Sequence, residues 1–111
     1  VKGIARLLHM ELFPVKGATG DVDTDLDAKT EAALRAAERY PFVLLLHING
    51  ADEAAHRHDS AEKETFLRRV DDRVLSRLLA SEHEIVVASD HGADPESGAH
   101  LGGPQPFFTS R

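Results

Sequence analysis

The chain has 111 residues, 41% of them hydrophobic and 29% charged, with a formal charge of −6, the balance of one globular domain with a modest core. No apolar run approaches the roughly 20 residues of a membrane helix, no segment reads as a signal peptide, and no basic patch marks a nucleic-acid surface. The absence of cysteine excludes disulfides and thiolate zinc sites and fits a cytoplasmic protein.

The first residue is Val rather than Met, and the chain opens in mid-element, so the natural N-terminus is expected upstream. Val1 to Met10 places Ile4, Leu7 and Leu8 on one face and reads as the end of a helix. Leu12 to Val15 reads as a short strand, and Lys16 to Asp23, with two glycines, as a loop. Thr24 or Asp25 can cap a helix running to about Tyr40, with Leu26, Ala33, Leu34, Ala37 and Tyr40 inward. Phe42 to Ile48 follows Pro41 as a continuous apolar run, the pattern of a strand buried on both faces of a parallel sheet. Asn49 to Asp59 is polar and irregular. Ser60 then caps a long helix with Glu62 and Glu64 in its first turn. Its apolar stripe is Leu67, Val70, Val74, Leu75 and Leu78, and Glu64 and Arg68 can pair on its outer face. Ile85 to Ala88 is a second buried strand, Asp94 to Pro104 a loop, and Phe107 to Thr109 a third strand. The alternation of helix and strand predicts an α/β fold, three-layered, with a mainly parallel sheet and right-handed crossovers.

Seven histidines stand beside 19 acids, and their spacing carries the chemistry. Ligands in such folds bind beyond the carboxyl ends of the strands. Asp52 and His56 follow the first apolar run and share one face if a helical turn begins after Gly50. Asp90 and His91 end the second run, and Gly92 permits the turn that lets both face one cleft. His100 lies in a loop that can fold back. Each piece alone has a plainer reading: an exposed helix pair, an Asp-initiated turn, a loop histidine. Together, past strand ends on one side of the sheet, they read as a shared metal site. His47 is either a donor that orients a ligand or a satisfied core histidine. Lys63 is either a phosphate-contacting cation or an ordinary exposed lysine. His58, between Arg57 and Asp59, reads as solvent-facing, and no chemistry is expected of His9 or His83. An acidic chain of this kind can still take a phosphorylated anion where metal cations invert the local field.

The order Asp52-x-x-x-His56, Asp90-His91-Gly92, His100 resembles the metal-binding half of the alkaline phosphatase superfamily. The chain is similar in particular to the archaeal-type cofactor-independent phosphoglycerate mutases. That likeness is carried by Val1 to Ala5, Pro14 to Thr24, His47 to Asp59, Ser89 to Gly92 and His100 to Pro106. It implies an alkaline phosphatase-like fold and two divalent metals, manganese foremost, with zinc or magnesium as alternatives. By the resemblance, Asp52, His56 and His100 bind one metal, and Asp90 and His91 bind the other. The family completes the second site with an Asp on the first strand and a nucleophilic Ser. Neither is found here, since Ser60, Ser76, Ser81, Ser89, Ser97 and Ser110 all lie in other contexts. The inserted substrate-binding domain and the end beyond the last strand are also missing. Arg57-His58 stands where an acidic or small pair is expected.

The implied reaction is interconversion of 3-phosphoglycerate and 2-phosphoglycerate through a phosphoserine, a step of glycolysis and gluconeogenesis. Metal would lower the hydroxyl pKa and clamp the charged oxygens of an in-line displacement. Residues 1–111 are thus expected to be part of a catalytic domain, with the nucleophile upstream and a small phosphorylated substrate as partner. The alternatives are a related metal-dependent phosphohydrolase or phosphopentomutase, and, in another class, a non-catalytic metal-binding fragment.

Overall fold

The computed structural model describes residues 1–110. In chain order it contains α1 (Lys2–Leu7), α2 (Leu26–Arg39), α3 (Gly50–His56), α4 (Ser60–Val70), a π-helical turn (Asp71–Leu75) and α5 (Ser76–Leu79). Four short strands follow: β1 (Val86–Ala88), β2 (Gly92–Ala93), β3 (His100–Leu101) and β4 (Phe107–Thr109).

Local chemistry accounts for the helices. Asp25 caps α2 by accepting the Ala28 N–H at 2.8 Å, the standard rescue of an orphan first-turn donor. At α4 the cap is Asp59, one residue before the expected Ser60, and it accepts the Glu62 N–H at 2.8 Å. Glu64 and Arg68 pair at 2.7 Å as their spacing requires. Thr30 is fully buried on α2 and donates its hydroxyl to the Leu26 carbonyl at 2.7 Å, so its polar group is not stranded.

The core is small. Leu26, Phe66 and Val74 are buried at its centre, with Val22, Leu46, Ile48, Ala51, Val70 and Leu78 packed around them. Phe66 is 1% exposed while Leu67 is 48% exposed, so the buried stripe starts one residue earlier than the periodicity predicts. Residues four apart drift by about 40° per step around an α-helix. The π turn, with more residues per turn, lets Val70, Val74 and Leu78 keep facing the core at that spacing. The radius of gyration is 14.5 Å, against roughly 13 Å for a close-packed domain of this length. The excess matches the many exposed apolar side chains, among them Ile4 and Leu7 of α1 and Leu8 just after it.

Among the described residues the sheets are small and antiparallel, and the mainly parallel three-layer arrangement is not formed. β1 pairs antiparallel with β4, Val87 opposite Phe108, and β2 pairs antiparallel with β3, Ala93 opposite His100. The run from Phe42 to Ile48 has no strand beside it among the described residues. Phe42, Val43 and Leu45 are therefore exposed, and only Leu46 and Ile48 reach the core. A parallel neighbour has to arrive by a crossover, whereas an antiparallel one needs only a returning loop. The 94–106 segment supplies such a return for β1, and nothing comparable reaches residues 42–48. Leu12 to Val15 likewise forms no strand, although Phe13 sets its ring edge against Tyr40 at 5.7 Å. No helix is long and apolar enough to cross a membrane among the described residues.

Candidate metal centre

Two local structures meet at the site. The first is α3, which starts at Gly50 because the chain must pass Phe66 closely. A Cβ at Gly50 would lie 2.6 Å from the Phe66 ring, so only glycine fits. Asn49, just before it, ties the approach by donating its side-chain amide to the Gly20 carbonyl and to Glu53. Asp52 then falls in the first turn, where the helix dipole favours a carboxylate, and His56 one turn later on the same face. The second is the β2–β3 hairpin. Its register sets His91 diagonally across from His100 on one face, and the two rings stack with centroids 3.8 Å apart. Across the other face of the hairpin, a Cβ at Gly92 would stand 3.2 Å from Leu101 Cβ.

The expected ligands converge, with one exception. Nε2 of His56 lies 3.4 Å from Asp52 Oδ2, Nε2 of His100 lies 3.2 Å from Asp52 Oδ1, and the two nitrogens are 3.0 Å apart. Asp52, His91 and His100 each offer a ligand atom within 4.8 Å of one another. His100 thus sits between His56 and His91. Asp90 is the exception. Its carboxylate is 87% exposed, 3.6 Å from His91 Nε2, and it accepts the His91 N–H in a tight turn.

Hydrogen bonds to carbonyls set the imidazole tautomers. His56 Nδ1 is 2.8 Å from the Gly98 carbonyl, and His91 Nδ1 is 3.0 Å from the Gly92 carbonyl. A carbonyl only accepts, so each Nδ1 carries a proton, and in the neutral ring each Nε2 presents a lone pair, the form that binds metal. Asp52 Oδ1 is buried and receives no hydrogen bond of acceptable geometry, even though His100 Nε2 is near. A buried acceptor without a donor is costly, and a cation among these atoms removes the cost. Bonds near 2.1 Å set neighbouring ligand atoms about 3.4 Å apart in a tetrahedral site and about 3.0 Å apart in an octahedral one. The observed separations of 3.0–3.4 Å accommodate either. The residues present therefore fit a divalent metal.

The remaining candidates lie around this centre. The His47 ring hydrogen-bonds to none of these ligands. Burial holds its pKa below the ordinary value, the Lys29 and N-terminal charges lower it further, and Asp90 opposes them. Its carbonyl takes the Lys29 ammonium at 2.5 Å, and burial lowers the Lys29 pKa in turn. The Lys63 ammonium donates to the Ala93 carbonyl. The groove of about 430 Å³ that Lys63 lines with Ser60, Leu67 and Pro95 includes none of the candidate ligands. Sequence reasoning missed Arg57, which grips Asp21 with two bonds of 2.8 and 2.9 Å and also holds Glu62. It staples the glycine-containing loop to the end of α3, directly after His56. His58 is exposed as expected, yet its Nδ1 lies 3.0 Å from the Glu96 carbonyl.

Comparison with known proteins now bears on the geometry. A family model described as the Metalloenzyme superfamily matches residues 1–110. The chain belongs to that superfamily. It is 39% identical over 108 residues to a protein of Methanothermobacter thermautotrophicus named 2,3-bisphosphoglycerate-independent phosphoglycerate mutase 1, covering 96% of this chain and 26% of that one. A similarly named mutase of Methanoculleus marisnigri is 38% identical over 106 residues, with the same coverage of 96% and 26%. Among solved structures, the PH0037 protein of Pyrococcus horikoshii superposes with a TM-score of 0.86 at 30% identity, over 97% of this chain and 33% of that one. The chain spans about a quarter of the length of the curated relatives it matches. The superfamily match and the cluster of Asp52, His91 and His100, which could hold a metal ion, point the same way.

Proposed function

We propose that this chain is the metal-binding part of a 2,3-bisphosphoglycerate-independent phosphoglycerate mutase, acting in the cytoplasm on a small phosphorylated substrate. The observation that carries the reading is the convergence of Asp52, His56, His91 and His100, with one Asp52 oxygen buried and lacking a donor. The relatives' names, phosphoglycerate mutases, support that class of reaction; in this reading 3-phosphoglycerate and 2-phosphoglycerate exchange through a phosphoserine.

In this reading Asp52, His56 and His100 hold one divalent ion, manganese before zinc or magnesium. His91, with Asp90 swung inward from its exposed rotamer, contributes to a second. The metals supply Lewis acidity that lowers a hydroxyl pKa and neutralises phosphoryl oxygens. The chain's own contribution is to present imidazole Nε2 atoms and a carboxylate with one buried oxygen in fixed positions. The nucleophilic serine belongs to the rest of the parent protein. Ser89, the serine beside Asp90, gives its hydroxyl to the His91 carbonyl at 2.9 Å and serves the turn. The 42–48 run, apolar on both faces and unpaired here, is an inner strand of the mainly parallel sheet that the parent completes.

Calorimetric titration with Mn²⁺ and Zn²⁺ tests the site. One ion is expected to bind clearly more tightly than the second, and His56→Ala is expected to abolish the tighter event. Two equally tight sites, or an unchanged isotherm for His56→Ala, would overturn the ligand assignment. Mutase assays test the reaction. The chain alone is expected to give no turnover with Mn²⁺, and a longer chain that restores the serine is expected to be active. A longer chain that only hydrolyses phosphate esters would make this a phosphohydrolase of the same superfamily. One that binds metal without any turnover would leave the non-catalytic reading.

A further inference from the structure

We propose that His58 and Lys63 are positioning residues of the metal centre: with His56 they hold three main-chain carbonyls of the loop that carries His91 and His100. The inference rests on the ligand reading above. His56 Nδ1 meets the Gly98 carbonyl at 2.8 Å, His58 Nδ1 meets the Glu96 carbonyl at 3.0 Å, and the Lys63 ammonium donates to the Ala93 carbonyl. The donors all come from the junction of α3 and α4. The acceptors all lie within the hairpin, and Ala93 is the residue directly opposite His100.

The loop between β2 and β3 is a rigid unit by itself. Asp94 accepts the Glu96 N–H at 3.0 Å and the Ser97 hydroxyl at 2.6 Å. The Gly98 N–H returns to the Asp94 carbonyl at 2.7 Å, and the Asp94 N–H to the Ala99 carbonyl at 2.9 Å. Ser97 and the Glu96 N–H hold the Asp94 pKa below its ordinary value, and the Lys63 charge adds to this. Internal bonds fix the loop's shape but not its placement on the helices. Placement is what sets His100 against Asp52 and His56, and the three side chains supply it.

His58 carries a mark of this role. It has a left-handed backbone, φ 60°, a conformation that costs a side-chain-bearing residue energy and is retained where surrounding contacts over-determine it. That conformation lays its ring on Gly98: a Cβ there would stand 3.0 Å from His58 Cε1 and 3.1 Å from Nε2. Gly98 is itself left-handed, φ +69°. Ring and glycine are mutually fitted, at a position where the resemblance leads one to expect an acidic or small residue.

The test compares His58→Gly, which relaxes the backbone and removes the donor, with Lys63→Met and the conservative Lys63→Arg. Mn²⁺ affinity is read by calorimetry, and backbone hydrogen exchange of residues 94–99 is read on the metal-free protein. His58→Gly and Lys63→Met are expected to weaken Mn²⁺ binding by about 10-fold or more and to speed exchange within 94–99, with Lys63→Arg restoring both. Affinity and exchange equal to the parent in both loss-of-donor variants would overturn the proposal. If Lys63→Met fails to fold, His58→Gly decides alone by the same two readouts. His56→Ala separates the readings: retained Mn²⁺ affinity there refutes the ligand set, whereas its loss beside an unaffected His58→Gly and Lys63→Met refutes only the clamp.

Discussion

Gly50→Ala is the sharpest perturbation of this site that leaves every ligand in place. The added methyl carbon would stand 2.6, 2.8 and 2.9 Å from three carbons of the Phe66 ring, where carbon atoms at rest sit about 3.5–4.0 Å apart. The ring is 1% exposed and has no room to retreat, so α3 has to lift by about 1 Å. Overpacking of this kind costs about 1–3 kcal/mol. The helix-propensity gain of Ala over Gly is at most about 1 kcal/mol, and less at the first helical position. The clash therefore wins by about 1–2 kcal/mol, a thermal midpoint lower by roughly 5–15 °C for a domain of this size. Metal binding is expected to suffer more than stability. Asp52 and His56 ride on α3 while His91 and His100 do not, and ligand distances tolerate only about 0.2 Å. Differential scanning calorimetry and Mn²⁺ titration read the two effects, and Gly50→Ala/Phe66→Leu, which opens the space, is expected to recover part of each. A Gly50→Ala protein with parental midpoint and parental affinity would refute the argument that Phe66 sets the height of α3.

Saturating Mn²⁺ is expected to raise the midpoint, by about 2.7 kcal/mol of stability at a concentration 100 times the dissociation constant, and Asp52→Asn should remove most of that rise in the same scan. Asp21 is held below the ordinary carboxyl value of 3.8 by its bonds to Arg57 and to the Val22 N–H. A depressed folded pKa gives stability that is present above the unfolded value and lost as pH falls through the folded one. The acid limb below pH 3.8 should accordingly be shallower for Asp21→Asn, as thermal scans from about pH 6 to about pH 2 would show. Arg73→Ala, by contrast, breaks an exposed pair with Asp27 at 2.7 Å and should change stability by no more than about 1 kcal/mol; a larger loss in urea titration would mean that the α2–π-turn contact depends on charge.

What could be read in advance was local. Asp25 and the Glu64–Arg68 pair act within one or two helical turns, and so they declared themselves, whereas α2 buries Leu26, Thr30 and Ala36 rather than Ala33, Leu34 and Ala37. That Asp52, His56, His91 and His100 come together was legible because their residue types are few and their spacings match one chemistry. Asp90 was equally legible by type, but its rotamer is not written in the chain. Phe66 was passed over for Leu67 because a regular helical period does not anticipate the π turn that follows. The parallel sheet was inferred from alternation, yet strand pairing depends on what lies alongside, and for residues 42–48 nothing described does. His58 and Lys63 were hardest to see. Their partners are carbonyls of Glu96 and Ala93, and a main-chain acceptor leaves no signature in residue identity.

The unpaired run also governs how the protein behaves in a tube. Phe42 to Leu46 is five apolar residues in a row whose backbone groups take part in none of the described turn, cap or sheet hydrogen bonds, the composition and state of an aggregation-prone window. Its two ends are guarded differently. Pro41 has no N–H to extend a ladder, and at the far end the His47 carbonyl is already taken by Lys29. Intermolecular pairing is thus confined to those five residues, and turbidity on storage should grow steeply with concentration. A single lysine at Val43, 92% exposed, is the least invasive way to keep the chain in solution, because that side chain contributes nothing to the core.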